Sequence, residues 1–292
     1  MEPQNLALKC QTGLWILEKG RGIANNRLHS SANKSVHIAT GIEKYKGRVA
    51  LVTGASAGIG AAIVQALLKH GLTVVGMARR VEKVKELALN DAPGKLHAIA
   101  GDVSDESSTL AAFKWVEDNL GGVDILINNA GVFPNTSLTG GKTEDWKNIL
   151  DVNVLGLSIC TREAVQDMLS RGVEDGFIIH INSIVGHAPP TLDVMAMYSA
   201  SKHAVKVLLE GLRKDLVAKG SKIRVGEVSP GFVQTEGVSN AMAVIPKDLA
   251  DKFKDMPALE SGDIAEAVVY MLSQHPRVQV HDVIVMPTGQ PI

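Results

Sequence analysis

The sequence predicts an α/β fold: a single doubly wound parallel sheet with helices on both faces. Three observations lead there. From Arg48 onward, short apolar runs of strand length recur without clean in–out alternation, as expected of strands buried on both faces. Stretches with helical spacing separate most of these runs, giving a strict strand–helix order. The first strand–helix junction carries three glycines.

The elements follow in order. Val49-Ala50-Leu51-Val52-Thr53 is the first strand, and Ala61 to Lys69 has helical spacing after the glycines. Leu72 to Ala78 reads as strand, Val81 to Leu89 as helix and Leu96 to Ala100 as strand. Ser108 to Leu120 is helical and Val123 to Ile127 is strand. One long helix is expected from about Thr143 to Arg171, then strand at Phe177 to Ile181. Helix Tyr198–Lys219, strand Ile223–Val228, helix Gly262–Ser273 and strand His281–Met286 complete the set. No Pro/Gly/Ser-rich linker interrupts 46–292, so those residues are expected to form one domain, and no internal repeat occurs.

Composition excludes several function classes. The chain has 292 residues, 45% apolar and 21% charged, an ordinary globular balance. A net charge of −1 provides no broad basic field for nucleic acid or an acidic membrane surface. Aromatic residues at 4% argue against a base-stacking platform. The two cysteines, Cys10 and Cys160, form no C-x-x-C, so neither a disulfide scaffold nor a zinc site is expected, and no histidine pair has metal-ligand spacing. Cys160 reads as a small core filler. No apolar run reaches the ~18 residues that a spanning helix needs.

Residues 1–45 differ from the rest. Lys9, Lys19, Arg21, Arg27 and Lys34 with few acids resemble a mitochondrial transit peptide, though Glu2 and Glu18 weaken the likeness. The other reading is a flexible extension. A cytoplasmic protein is expected, with a mitochondrial one as the alternative.

Between the first strand and its helix lies Thr53-Gly54-Ala55-Ser56-Ala57-Gly58-Ile59-Gly60. Glycines there permit a tight turn and bring a pyrophosphate close to backbone N–H groups at the positive end of a helix. An NAD site usually needs an acid about 20 residues on for the ribose hydroxyls. None occurs between Gly60 and Glu82; instead Arg79 and Arg80 follow the second strand. Two guanidinium groups suit a 2′-phosphate, so NADP(H) is the expected cofactor. The plainer reading is two solvated arginines opening a helix.

Tyr198 and Lys202 are four residues apart, on one face of a helix. An ammonium at that spacing favours the phenolate, so the tyrosine pKa is expected to fall toward working pH. Such a phenol exchanges a proton with a carbonyl oxygen.

Thr53-Gly54-x-x-x-Gly58-x-Gly60, Asp102-Val103, Asn128-Asn129-Ala130-Gly131, Asn153, Ser183, Tyr198-x-x-x-Lys202 and Pro230-Gly231 occur in one order. With these motifs the chain, from about Gly47 to its end, resembles the short-chain dehydrogenase/reductase family, which has the Rossmann sheet. Ser183 to His187, Leu157 to Ala164 and Met286-Pro287-Thr288 look like its farnesol-dehydrogenase and ketosteroid-reductase-like branch.

The resemblance implies an alcohol dehydrogenase or carbonyl reductase in which Tyr198 is the proton donor or base and Ser183 binds the reacting oxygen. Lys202 would tune Tyr198 and hold the nicotinamide ribose, and Asn153 would connect Lys202 to water. By the same likeness Ser56, Ala57 and Ile59 belong to the cofactor loop, and Asp102 and Val103 lie beside the adenine. Asn129, Ala130 and Gly131 line the adenosine ribose and phosphate side. Val233 and Thr235, after Pro230-Gly231, hold the carboxamide and diphosphate. The spacing of fifteen from Ser183 to Tyr198 is slightly long, and Pro189 and Pro190 in it imply a reshaped substrate mouth. Ala57 stands where NADP users in the family often carry a basic residue, leaving selection to Arg79 and Arg80.

Phe232 to Pro257 is the expected substrate lid, with Phe232, Met242, Val244, Ile245, Phe253 and Met256. That content favours a small apolar alcohol or carbonyl compound such as a terpenoid or steroid; the bland alternative is that these side chains only pack the lid. A homodimer or homotetramer through the long helices is expected from the family. His180 reads as a satisfied core residue, and His187, four after Ser183, as a core residue or a substrate contact. A second function class stays open: a non-catalytic NADP-binding sensor or scaffold of this fold, usually marked by a broken catalytic set. Here all four members are present.

Overall fold

A computed structural model describes residues 41–189, 192–242 and 256–290. The extension 1–40, Pro190, and Val244, Ile245 and Phe253 of the expected lid lie outside the described residues.

Seven strands pair in parallel: β1 Val49–Thr53, β2 Thr73–Ala78, β3 Lys95–Ala100, β4 Ile125–Asn128, β5 Phe177–Ile181, β6 Arg224–Pro230 and β7 Asp282–Val285. Their order is β3-β2-β1-β4-β5-β6-β7. The chain steps outward from β1 to β3, returns beside β1 with β4, and steps outward the other way. That reversal opens a crevice at the carboxyl ends of β1 and β4, where doubly wound sheets bind ligands.

The helices are α1 Gly58–Lys69, α2 Val81–Lys85, α3 Glu106–Leu120, α4 Thr143–Leu150, α5 Leu157–Ser170, α6 Ala196–Ala218, α7 Glu236–Met242 and α8 Ser261–Ser273. Alternate residues of the central strands feed two cores. Ala50, Val52, Ile127 and Ile179 pack with Ile63 and Leu67 of α1 and Val268 and Leu272 of α8. Leu51, Leu126, Ile178 and Val225 pack with Val116 of α3, Met168 of α5, and Leu209 and Leu216 of α6. All five residues of β1 are buried, which is why its sequence shows a solid run rather than alternation. Each fully buried Leu or Ile contributes roughly 1.5–3 kcal/mol. Cys160 is buried, and its desolvated thiol is pushed up to about 12, consistent with core filling.

Two elements differ from the periodicity. α2 ends at Lys85, and Leu87 and Ala88 complete it with single turns before the chain reaches β3. The long helix expected over 143–171 is three pieces, because a π-helical turn, Asp151–Gly156, separates α4 from α5. Apolar spacing does not register one widened turn, yet such turns concentrate at functional sites, and this one holds Asn153.

Candidate active site

The glycine loop joins β1 to α1. Gly54 and Gly58 have φ of +65° and +55°, conformations costly for any residue with a Cβ. A Cβ on Gly60 would overlap the Gly54 carbonyl and the Asn129 amide, so the helix start and the loop touch directly. Ala57 caps α1 with no side-chain acceptor, and its first turn holds no acid. Its N–H groups therefore face the crevice with the positive end of the helix dipole, an anion site by construction. Ser56 and Ile59 are half-buried beside them.

The β4 terminus locks this loop. Asn129 Nδ2 donates to the carbonyls of Thr53 (2.9 Å) and Gly54 (3.2 Å). The Thr53 hydroxyl accepts from the backbone N–H groups of Asn129 (3.1 Å) and Ala130 (3.0 Å). Asn129 thus shapes the crevice through the loop, with Ala130 and Gly131 following along its wall.

Arg79 and Arg80 leave β2 at the same end of the sheet. Arg79 is 72% exposed, with Nη1 3.9 Å from Asp102 Oδ2. Arg80 Nη1 lies 2.5 Å from Glu236 Oε1 of α7, and its Nη2 is 3.4 Å from Ser56 Oγ. Asp102 Oδ1 accepts from Ser104 while Val103 is buried. Beyond β6, the Gly231 N–H donates to Val285 O at 2.7 Å, and Val233 bridges Leu259. The Thr235 methyl sits over Gly58. Pro230, Gly231, Val233 and Thr235 therefore run from the end of β6 to the glycine loop.

The proposed catalytic groups converge beside this crevice. Ser183 stands just past β5 in extended backbone, its hydroxyl accepting from Val185 N at 3.4 Å and close enough to the Tyr198 phenol to lower its pKa. Tyr198 lies in the first turn of α6, its ring 4.8 Å from that of Phe133 at 54°. Lys202, one turn on, is 5% exposed. Its Nζ is 5.8 Å from the Tyr198 ring centroid and donates to Ile181 O at 2.8 Å. Asn153 bonds the Val132 backbone both ways (2.9 and 3.0 Å) and donates to Ser201 Oγ at 3.1 Å. Its side chain thus fixes the loop under the site and the first turns of α6, and no hydrogen bond joins it to Lys202 among the described residues.

The electrostatics correct one expectation. Burial pushes the Tyr198 phenol up to about 12, and the Ser183 hydrogen bond offsets only part of that. Burial also lowers the Lys202 ammonium to about 8, against the charge of Glu227. The i,i+4 spacing is met, but desolvation dominates, and the ammonium is turned to the Ile181 carbonyl. His187 is held between two elements: Nε2 is 2.8 Å from Ser229 Oγ of β6 and Nδ1 is 2.6 Å from Lys206 Nζ of α6. His180 is buried against Asn128 Nδ2 (3.2 Å) and held neutral, down to about 3, by burial and by Lys202.

Residues 48–244 match the family model for short chain dehydrogenase. The chain belongs to the short-chain dehydrogenase family. It is 45% identical over 254 residues to mouse dehydrogenase/reductase SDR family member 11, covering 86% of this chain and 98% of the relative. It is equally 45% identical over 253 residues to farnesol dehydrogenase of Aedes aegypti, covering 85% and 99%. Among solved structures, the closed form of serine dehydrogenase complexed with NADP+ superposes with a TM-score of 0.74 at 28% identity, covering 84% of this chain and 96% of that one. The alcohol dehydrogenase of Thermococcus sibiricus complexed with 5-hydroxy-NADP gives 0.70 at 26% identity, covering 85% and 99%.

Within this short-chain dehydrogenase, three groups escaped the motif reading: Phe133 over the tyrosine, the Ile181 carbonyl on the lysine, and buried Glu227. The last had a signal, since one acid interrupts Ile223 to Val228.

Proposed function

We propose that the chain is an NADP-dependent oxidoreductase acting on an apolar alcohol or carbonyl compound, a terpenoid such as farnesol or a steroid. The observation that carries this is the meeting of Ser183, Tyr198 and Lys202 at the carboxyl end of β5, beside the glycine loop. The described residues fit a dinucleotide phosphate: Gly54, Gly58 and Gly60 form a cradle that a Cβ would fill, α1 opens without an acid, and two arginines end β2. The NADP complexes of the two solved relatives support the choice of cofactor.

When bound, NADP(H) supplies or accepts the hydride. The remaining tasks fall to this chain. In reduction, Tyr198 donates its phenolic proton to the carbonyl oxygen as negative charge builds there. Ser183 donates a hydrogen bond to the same oxygen and sets its position. Lys202 brings positive charge to the site and would hold the ribose hydroxyls of the cofactor. In oxidation Tyr198 takes the hydroxyl proton of the alcohol. Phe133 against Tyr198 contributes an apolar wall, and the farnesol dehydrogenase likeness supports an apolar substrate.

The test follows NADPH absorbance against a panel of carbonyl compounds. Turnover of terpenoid aldehydes or ketosteroids is expected. Turnover of small polar sugars alone overturns the substrate class, and equal use of NADH overturns the cofactor. We propose further that the protein is a homo-oligomer, supported by exposed Leu155 and by Val207 and Val217 of α6. Light scattering that finds only monomer at micromolar concentration overturns that.

A further inference from the structure

Ser201 of α6 stands between Tyr198 and Lys202 in sequence and is fully buried. Its hydroxyl donates to the Tyr198 carbonyl at 2.6 Å and accepts from Asn153 Nδ2 at 3.1 Å. The same Asn153 amide donates to the Val132 carbonyl at 3.0 Å, and Asn153 Oδ1 accepts from the Val132 N–H at 2.9 Å. The next residue is Phe133, whose ring packs on the Tyr198 ring with centroids 4.8 Å apart. The contacts close a circuit that runs from the Tyr198 backbone through Ser201, Asn153, Val132 and Phe133 to the Tyr198 ring.

One amide therefore holds both ends of the tyrosine, its backbone through Ser201 and its ring through Phe133. Asn153 uses both of its N–H donors and its oxygen, and Ser201 uses its single proton on Tyr198. A buried polar network satisfied in this way specifies one arrangement of its members. The start of α6 needs such a hold. Met195, its cap residue, offers no side-chain acceptor, and the first turn, which carries Tyr198, has no acid.

We infer that Ser201 is a positioning residue for Tyr198, tying the tyrosine backbone to Asn153 and so fixing the phenol against the Ser183 hydroxyl and the reacting oxygen. Its catalytic meaning rests on the function proposed above. Proton transfer depends steeply on geometry, and a misplacement of about 1 Å can lower a rate by about 10². The Ser201 hydroxyl is buried and already bonded on both sides, so its effect on substrate goes through the tyrosine.

The test uses the three tyrosines of the chain, Tyr45, Tyr198 and Tyr270. Their rings are labelled with 13C, and Tyr198 is assigned by NMR from its loss in Tyr198→Phe. No substrate or cofactor is needed. Stacking on Phe133 gives the Tyr198 ring a shift that depends on how the two rings are placed. Ser201→Ala should move the Tyr198 signals and leave Tyr45 and Tyr270 in place. Ser201→Thr, which keeps the hydroxyl, should bring them back. Ser201→Cys fills the same space with a poor hydrogen-bonding group. It should match Ser201→Ala, and it gives the reading if the alanine variant does not fold. Unmoved Tyr198 signals in either folded variant overturn the inference, as do equal shifts at all three tyrosines, which mark general loosening. In turnover, Ser201→Ala and Ser201→Cys should lower kcat by about tenfold or more with KM and NADPH binding unchanged, and Ser201→Thr should restore most of it. Unchanged kcat, or a loss confined to KM, overturns the positioning role. An unsubstituted protein inactive on every carbonyl compound removes the function proposed above and leaves the NMR result standing.

Discussion

The Lys202 ammonium stands 5.8 Å from the centre of the Tyr198 ring, but its hydrogen bond goes to the Ile181 carbonyl at 2.8 Å. Helix spacing sets the first distance and the end of β5 sets the second. Burial then dominates, leaving the phenol near 12 and the ammonium near 8. A phenol at about 12 keeps its proton throughout the neutral range, so it stays available as donor there, while the phenolate that would act as base is scarcely populated. Reduction should therefore be nearly flat with pH below about 8 and fall above it as Lys202 loses its proton. Alcohol oxidation should instead climb from neutral into mildly alkaline pH, as the tyrosine sheds its proton more easily. Initial rates in both directions across pH check this; a reduction rate that rises through pH 8 contradicts it.

Tyr198→Phe keeps the ring against Phe133 and removes only the proton that the oxygen needs. Turnover should fall by about 10²–10⁴. NADPH binding, followed by its fluorescence, should be unchanged, because the glycine loop and the β2 arginines are untouched. Wild-type kcat in this variant would show that another group supplies the proton.

Glu227 links pH to stability with a definite sign. Its folded pKa of about 7 lies above the ordinary carboxylate value of 4.5. The folded state thus binds the proton more tightly, and stability present below about 4.5 is lost as pH rises through about 7. Glu227→Gln removes that loss. Its stability relative to the unsubstituted protein should improve between pH 4.5 and 8, by on the order of 2 kcal/mol after allowance for screening. Urea midpoints at the two pH values measure it; a constant difference refutes it.

Much of this architecture was legible because burial on both faces writes itself as solid apolar runs, and β1, β4 and β5 are such runs. Gly54, Gly58 and Gly60 were legible because few other residues survive their backbone geometry and contacts. The π turn around Asn153 was not, since one widened turn leaves apolar spacing nearly unchanged. Nor was the state of Tyr198: its i,i+4 lysine is visible in sequence, whereas its burial, which sets the phenol high, comes from the fold around it. Asn129 is expected beside the cofactor, and its amide bonds to Thr53 and Gly54 were not legible, because they come from a juxtaposition that only the β1–β4 neighbourhood creates.

Arg80 yields the last prediction. Its guanidinium pairs with Glu236 at 2.5 Å, both side chains about half exposed, at the start of α7. That carboxylate and a 2′-phosphate would compete for the same donors, since one planar fork cannot serve both fully. Glu236→Gln frees the fork and should tighten NADPH binding by ~2- to 5-fold with no effect on NADH. Arg80→Ala should weaken NADPH by about tenfold or more and again spare NADH. Both effects should shrink as salt rises, because these groups are exposed. Fluorescence titrations with the two cofactors at low and high salt decide the matter. Weaker NADPH binding in Glu236→Gln would mean that Glu236 orients the arginine for the phosphate rather than competing with it.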